Sequence, residues 1–215
     1  MRVLEFGGVD YNKIWLQVLS DVMFNGDSVY IPETECRGKR SGGLTKEIRD
    51  MVIVIKDPIE PTQEDIDKLA TTIGIKFLDN MLILPDSPQY ERIYGNGQYD
   101  SLLTRLKLNL FTRRAVFSVF LPQDILSNYG ICSISGQFLF RDHKLSLRVF
   151  MRSNDAYNAF PLNMIGFIKL QYKLAHDLSV SVGEYIHYAT SMHIYATDFK
   201  KVNELLKQIN VEGIV

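Results

Sequence analysis

Cysteine is scarce in the sequence, and residues grouped as metal ligands are missing from it. Only Cys36 and Cys132 occur among 215 residues, which is too few for a disulfide framework. Neither cysteine belongs to a Cys-x-x-Cys pair or a cysteine–histidine cluster, so no metal site is predicted. Two unpaired thiols are typical of a reducing compartment, and we expect a cytoplasmic protein.

Long apolar runs and an excess of one charge are also missing. No run of about 18 apolar residues could form a transmembrane helix. The N-terminal segment MRVLEFGGVDYNK has no features of a secretion signal. The 24 basic and 25 acidic residues nearly cancel, so the sequence predicts neither DNA nor a membrane as a partner. Any anion site must therefore come from a local group of arginines.

What the chain does have is the balance of a globular protein, with 46% hydrophobic and 23% charged residues. A chain of this length can bury a core without disulfides, and we expect a single domain over residues 1–215.

Five segments have the apolar period of an α-helix. One begins at Thr62, a candidate N-cap, and Asp65 lies three residues later as in a capping box. Another is apolar nearly all round, which predicts a buried helix. The predicted helices cover residues 10–25, 62–74, 98–110, 162–178 and 198–209.

Strands are predicted where short apolar or alternating runs end at turn residues. The clearest signal is a hairpin over residues 136–153 that turns at Asp142-His143-Lys144. Residues 28–50 are polar, basic and glycine-bearing and are interpreted as an exposed loop, and residues 76–101 are interpreted as irregular before the third helix. Together the elements predict an α+β fold with helices on a largely antiparallel, mixed sheet. The other predicted strands cover residues 1–6, 51–58, 115–122 and 184–196.

Cys132 is followed by the segment FMRSNDAYNAFPLN, residues 150–163, which has no clean amphipathic pattern. A free cysteine is usually a small buried hydrophobe, whereas a nucleophilic thiol needs nearby cations or hydrogen-bond donors. Arg152 and Ser153 provide such groups if the hairpin returns them to the cysteine. No histidine stands in a general-base relation to Cys132, so a cysteine hydrolase is not indicated.

From Gly130 to Val202 the sequence resembles the catalytic half of the thymidylate synthase family. The family has a cysteine, a Gln-Phe pair, a hairpin, Arg-Ser-x-Asp, Pro-x-Asn and His-x-Tyr in this order and at this spacing. The matching residues are Cys132, Gln137-Phe138, Arg152-Ser153-Asn154-Asp155, Pro161-Leu162-Asn163 and His193-Ile194-Tyr195.

Upstream segments resemble the family more weakly. ERIYGNGQY is similar to its Val-Tyr-Gly segment, FTRRAVFSVF to its Ser-Arg-Arg strand, and CRGKRSGGLTKEI to its N-terminal arginine loop. The resemblance is strong over residues 90–202 and looser over residues 1–60.

The resemblance implies the fold of that family, an obligate homodimer with shared active sites, and roles for individual residues. Cys132 would add to C6 of a pyrimidine nucleotide. Arg152 would hold the 5′-phosphate and favour the thiolate, because a fixed cation lowers the pKa of a thiol. Ser153 would donate to the same phosphate. Arg113 and Arg114 would reach that phosphate from the other subunit.

The remaining roles follow from the same resemblance. Arg40 would complete the phosphate site, with Arg37 as the alternative in the same loop. Tyr94 would help to remove the C5 proton, and Asp155 would order the ring. The other residues expected to bind substrate are Gln137, Asn163, His193 and Tyr195, of which the last two would contact the sugar 3′-hydroxyl.

Asn163 is expected to select the base. Uracil presents an acceptor at O4 and a donor at N3, and a carboxamide can meet both. Family members that act on cytosine typically have aspartate at this position. A site of the wrong polarity leaves buried groups unpaired, so Asn163 favours dUMP over dCMP.

The sequence also departs from the family pattern. Ser133 follows the nucleophile where histidine is usual, and Ala189-Thr190-Ser191 replaces Gly-Gly-Asp. The helix that carries a proton-relaying glutamate has no clear counterpart, and Glu60, Glu64 and Glu91 remain as alternatives. The sole tryptophan, Trp15, lies in the first predicted helix rather than at the carbon-donor site. These departures resemble compact archaeal and phage-type members.

The leading hypothesis is a thymidylate synthase that converts dUMP to dTMP without a metal. The carbon donor would be a reduced pterin, either methylene-tetrahydrofolate or a modified form such as methylene-tetrahydromethanopterin. One alternative is a pyrimidine-nucleotide hydroxymethylase, and another is a nucleotide-binding homologue without turnover. Retention of Cys132 argues against the last, because phosphate and base binding does not need a thiol.

Overall fold

A computed structural model describes residues 1–7, 10–32, 43–73, 87–126 and 131–211, with side chains described as far as residue 208. The strands are β1 Arg2–Phe6, β2 Asp27–Ile31, β3 Gly43–Ile55, β4 Val116–Ser118, β5 Ser133–Arg141, β6 Lys144–Met151, β7 Asn154–Asp155 and β8 Ser181–Tyr195. The helices are α1 Tyr11–Asn25, α2 Gln63–Ile73, α3 Pro88–Tyr90, α4 Gln98–Leu108, α5 Phe160–Asp177 and α6 Phe199–Val211.

The eight strands of the described residues form one mixed sheet in the order β1-β3-β8-β6-β5-β4, with β2 paired to β3 and β7 paired to β8. β3 is antiparallel to β8, whereas β6 and β7 are parallel to it. The predicted α+β class with helices on a mixed sheet is confirmed. Since β7 lies beside the end of β8, the segment after β6 is held next to His193.

The predicted hairpin is confirmed as β5 and β6, which pair antiparallel. Its two turn residues, Asp142 and His143, have positive φ angles of 50° and 61°. Two consecutive residues of this kind form the tight turn that matches strand twist. The closed hairpin brings the residues after β6 back to the start of β5.

One face of the sheet is covered by helices, and α5 lies at the centre of that layer. Trp15 of α1 and Phe167 of α5 are fully buried there. β8 alternates, so that Tyr185 and His187 face the helices while Tyr188 faces away from them. The prediction that α5 is buried is confirmed.

Other local predictions are confirmed as well. Thr62 and Asp65 form the expected capping box at α2, in which Asp65 N donates to Thr62 Oγ1 at 3.2 Å and Thr62 N donates to Asp65 Oδ2 at 2.8 Å. None of the helices described is both long and apolar enough to cross a membrane.

The interpretation of residues 28–50 as an exposed loop is wrong for the residues described there. β2 pairs antiparallel with the first part of β3, and β3 continues without a break to Ile55. Thr45 is buried and donates to Val29 O at 3.0 Å, and Arg49 and Asp27 form an ion pair at 3.5 Å. These polar side chains have partners across the strands, so polarity alone did not indicate a loop.

Two other boundaries also need correction. The strand predicted over residues 115–122 is limited to Val116–Ser118. Part of the segment interpreted as irregular is helical, because α3 begins at the Ser87 cap and continues as a π-helical turn over Glu91–Gly95. Wide turns of this type are common at functional sites.

Candidate active site

The thiol of Cys132 lies immediately before β5, where the hairpin returns residues 152 and 153 to it. Ser153 Oγ donates to Cys132 Sγ at 3.4 Å. The backbone N–H of Arg152 donates to Cys132 O at 2.9 Å, and its Nε donates to Ile131 O at 3.1 Å. Cys132 is partly buried and is not in a disulfide. The expected approach of Arg152 and Ser153 to the cysteine is thus observed.

Asp155 organises the turn that leads into α5. Its Oδ1 accepts hydrogen bonds from the backbone N–H groups of Tyr157 at 3.1 Å and Asn158 at 3.0 Å. Asn158 Nδ2 bridges Asp155 Oδ2 and Asp198 Oδ2, at 3.0 Å to each. Trp15 Nε1 supports the same turn by donating to Ala156 O at 2.8 Å. These bonds fix the start of α5, and with it the position of Asn163.

Asn163 belongs to a buried row of polar side chains. Its Nδ2 donates to Asn154 Oδ1 at 3.3 Å, and Asn154 Nδ2 lies 2.9 Å from His187 Nε2. His187 Nδ1 lies 2.8 Å from the hydroxyl of Tyr185. Burial lowers the pKa of His187 to about 3, so the ring is neutral near pH 7.

His193 and Tyr195 occupy the end of β8, beside the turn that Asp155 organises. Their rings pack edge to face with centroids 4.9 Å apart. His193 O accepts from Ala156 N at 2.8 Å, and its Nδ1 lies 3.3 Å from Ser191 Oγ. The structure therefore brings His193 and Asp155 together, as their pairing between β8 and β7 requires.

Tyr94 lies in the π-helical turn after α3. Its ring packs between those of Tyr90 and Tyr99, with centroids 4.5 and 5.1 Å away. Burial raises the pKa of Tyr94, which keeps its hydroxyl protonated. The Glu91 carboxylate folds over Gly95, where an added Cβ would lie 2.1 Å from Glu91 Oε1. Of the three candidate glutamates, Glu91 is the one that belongs to the same π-helical turn as Tyr94.

The π-helical turn is tied to the strands that carry the cysteine. Arg92 Nη1 donates to Val119 O at 2.6 Å, and Val119 N donates to Ile134 O at 2.9 Å. Arg92 also pairs with the buried Asp124, with Nη2 and Oδ1 2.9 Å apart. Arg92 thus links the turn through Val119 to Ile134 of β5, which is two residues from Cys132 along the chain.

Arg113 and Arg114 lie at the opposite end of β5 from the cysteine. Ala115 O accepts from Phe138 N at 2.8 Å, which places Arg114 beside Leu139. This position is roughly 23 Å from Cys132, since a strand rises about 3.3 Å per residue. Both arginines are exposed and line an open cleft of about 860 Å³ beside α4. Within one chain they cannot share a phosphate with Arg152.

Two further predicted residues have different outcomes. Gln137 lies on β5, where its Nε2 donates to Arg113 O at 2.8 Å, so its amide supports the arginine strand. Arg40 and its alternative Arg37 lie outside the described residues. Across the part of the chain that is described, no three His, Cys, Asp or Glu side chains are grouped to hold a metal.

Sequence reasoning missed three residues of the buried row. Asn154 occupied the variable position of Arg-Ser-x-Asp, and Tyr185 and His187 read only as inward positions of a strand. Ser133, next to Cys132, is also notable, because its buried Oγ has no hydrogen-bond partner among the described atoms. The sequence feature that could have indicated this row is the presence of polar residues at inward-facing positions of β7 and β8.

Three comparisons with known proteins agree on one family. The family model for thymidylate synthase matches residues 86–212. A protein of Methanothermobacter thermautotrophicus described as "Putative thymidylate synthase" is 26% identical over 93% of this chain and 98% of its own length. One of the same description from Methanosarcina barkeri is 24% identical over 90% of this chain and 94% of its own.

A solved structure, thermostable thymidylate synthase A from Bacillus subtilis, superposes on 93% of this chain and 84% of its own with a TM-score of 0.67. At 18% identity this likeness establishes the fold. Since the family model covers more than half of the residues, the chain belongs to the thymidylate synthase family.

Proposed function

We propose that the protein is a thymidylate synthase that converts dUMP to dTMP with a methylene-tetrahydropterin as carbon donor. The observation that carries this proposal is the contact of 3.4 Å between Ser153 Oγ and Cys132 Sγ, at the point where Arg152 meets the cysteine backbone. A nucleophilic cysteine needs hydrogen-bond donors around its sulfur, and the Ser153 hydroxyl is such a donor here.

In this proposal the Cys132 thiolate forms a bond to C6 of the uracil ring, and the displaced electron pair makes C5 nucleophilic. C5 then forms a bond to the methylene carbon of the donor. Loss of the C5 proton allows the bond between this carbon and the pterin nitrogen to break. Hydride from the reduced pterin completes the methyl group, the pterin is oxidised to the dihydro form, and the C6–S bond breaks to regenerate the thiolate. Tyr94, with Glu91 in the same π-helical turn, is the candidate for assisting the loss of the C5 proton.

The nucleotide contacts follow the same arrangement. Arg152 and Ser153 would hold the phosphate, because guanidinium and hydroxyl groups donate to its oxygens. His193 and Tyr195 would contact the sugar, and Asn163 would contact the base. The turn organised by Asp155 supports the base and sugar residues together, since it precedes α5 and pairs with β8.

The working enzyme in this proposal is a homodimer in the cytoplasm. Arg113 and Arg114 lie too far from Cys132 to bind its nucleotide within one chain, so a second copy would supply them. The sheet face opposite the helices is available for such a contact, because Phe150 and Tyr188 stack there with centroids 5.1 Å apart and Val116 is exposed. Phe150→Asp is expected to dissociate the dimer, which analytical ultracentrifugation would detect. A wild-type monomer at micromolar concentration would contradict this arrangement.

The donor is proposed as a reduced pterin, either methylene-tetrahydrofolate or a modified form such as methylene-tetrahydromethanopterin. The motifs of the carbon-donor half differ from the usual family pattern, which favours testing both. A hydroxymethylase would use the same thiol chemistry but add water in place of hydride, so its product differs by one oxygen. Mass analysis of the nucleotide product separates the two reactions.

The first test follows release of tritium from C5 of dUMP and of dCMP into water, with Cys132→Ala as the control. Release from dUMP that the substitution abolishes is the expected result. Release from dCMP alone would contradict the base assignment and favour a cytosine enzyme. Absence of release from either nucleotide, even with both pterins present, would leave a binding protein without turnover.

A further inference from the structure

Four polar side chains form a continuous row between the sheet and the start of α5: Tyr185, His187, Asn154 and Asn163. The first three are fully buried and Asn163 is 4% exposed. Contacts of 2.8, 2.9 and 3.3 Å join each to the next. Buried polar groups are costly without partners, so donors and acceptors must alternate along the row.

The direction of the Asn163–Asn154 bond then sets the direction of the other hydrogen bonds in the row. Asn163 Nδ2 donates to Asn154 Oδ1, so the amide nitrogen of Asn154 faces His187 Nε2. An amide nitrogen only donates, and Nε2 must therefore carry a lone pair. A neutral ring then has its proton on Nδ1, which donates to the Tyr185 oxygen. The other tautomer would require both carboxamides to turn over, with the Tyr185 hydroxyl donating to Nδ1.

The direction matters because a carboxamide rotated by 180° exchanges its donor and its acceptor. In one orientation Asn163 donates to O4 and accepts from N3–H, which fits uracil. In the other it accepts from the 4-amino group and donates to N3, which fits cytosine. An asparagine at this position can thus read either base, and its orientation decides between them.

We propose that His187 is a positioning residue that makes the site selective for uracil. By accepting from Asn154 Nδ2, it holds the Asn154 oxygen toward Asn163, and that oxygen holds the Asn163 nitrogen on the side that meets O4. The inference rests on the proposed function, in which Asn163 contacts the base. It adds the residue that sets the orientation of that contact.

The surroundings of His187 hold its ring in place and keep the ring neutral. Phe160 packs edge to face against the ring with centroids 5.2 Å apart. Burial disfavours the charged form, in which Nε2 would become a donor. The packing holds the plane of the ring, and burial keeps the ring neutral, so one ring nitrogen retains a lone pair. The bond from Asn154 requires that nitrogen to be Nε2.

Two substitutions of His187 distinguish an effect on the orientation of the Asn163 amide from an effect on packing. His187→Phe keeps an aromatic ring but removes the acceptor, whereas His187→Gln offers an amide oxygen that can accept from Asn154. The exposed His176, whose side chain is 90% accessible, provides the matched control His176→Gln. The dissociation constants of dUMP and dCMP would be measured by calorimetry for each protein, with thermal unfolding to confirm that it is folded.

The expected result is a fall of about tenfold in the preference for dUMP over dCMP in His187→Phe, which corresponds to one hydrogen bond of ~1.4 kcal/mol. His187→Gln should recover most of the preference, and His176→Gln should retain all of it. Equal weakening of both nucleotides in His187→Phe would overturn the proposal, because a packing defect does not discriminate between bases. Wild-type protein that binds neither nucleotide would instead contradict the proposed function, and the role of His187 would fall with it.

The tautomer of His187 can be tested in the wild-type protein, without a nucleotide and without any variant. Nitrogen NMR of the wild-type protein labelled with ¹⁵N-histidine distinguishes a bare Nε2 from a protonated one. A buried histidine with bare Nε2 and protonated Nδ1 is expected at neutral pH. A protonated Nε2 at His187 would overturn the inference even if every variant failed to fold.

Discussion

Protonation of His187 should link the stability of the protein to pH. In the folded chain the pKa of His187 is about 3, whereas an exposed histidine in the unfolded chain titrates near 6.5. As the pH falls below about 6.5, the unfolded state takes up a proton that the folded state does not, and the free energy of unfolding decreases. The loss continues until the pH reaches the folded-state value near 3.

The slope over this window is about 1.4 kcal/mol per pH unit, so the change from pH 7.5 to 5.0 is about 2 kcal/mol. Urea unfolding at a series of pH values measures it. Carboxylates also titrate in this range. The pH dependence of the unfolding free energy is therefore compared between wild type and His187→Phe, which removes the ionisable ring. Parallel pH profiles for wild type and His187→Phe would refute the reasoning.

Two further predictions concern packing and proton transfer. Gly136→Ala should lower stability by about 1–3 kcal/mol, because its Cβ would lie 2.2 Å from the buried Phe117 ring, whereas Gly7→Ala meets no described atom within 4 Å. Equal melting temperatures for the two variants would contradict this. Glu91→Gln should slow tritium release from dUMP by about a hundredfold, while Glu60→Gln should leave it unchanged. Equal rates would exclude Glu91 as the proton relay.

Local sequence signals predicted those elements whose causes are local. The cap formed by Thr62 and Asp65 involves residues three apart, and it appeared as expected. The hairpin turn at Asp142 and His143 was equally clear, because short turns are specified by the residues within them. The hairpin was sufficient to predict that Cys132 lies next to Arg152 and Ser153.

Elements that depend on distant partners were not predicted in the same way. The first half of β3 is polar, and only its pairing with β2 and β8 accounts for it as a strand. Ser191 of β8 donates to Glu47 of β3 across that pairing. Residues of this kind read as an exposed loop in sequence, since their partners lie up to 144 positions away along the chain.

The same distinction explains why the site was only partly predicted. Each motif residue was identified by its own type, but in the proposed site the identity of Asn163 does not determine which base it would bind. That property depends on Asn154, a position the motif leaves variable, and on His187, which is 33 residues further along the chain. A relative that keeps asparagine at position 163 but lacks an acceptor at position 187 would be free to present either face of the amide. Base selectivity in such chains is therefore expected to follow the buried row rather than the motif asparagine alone.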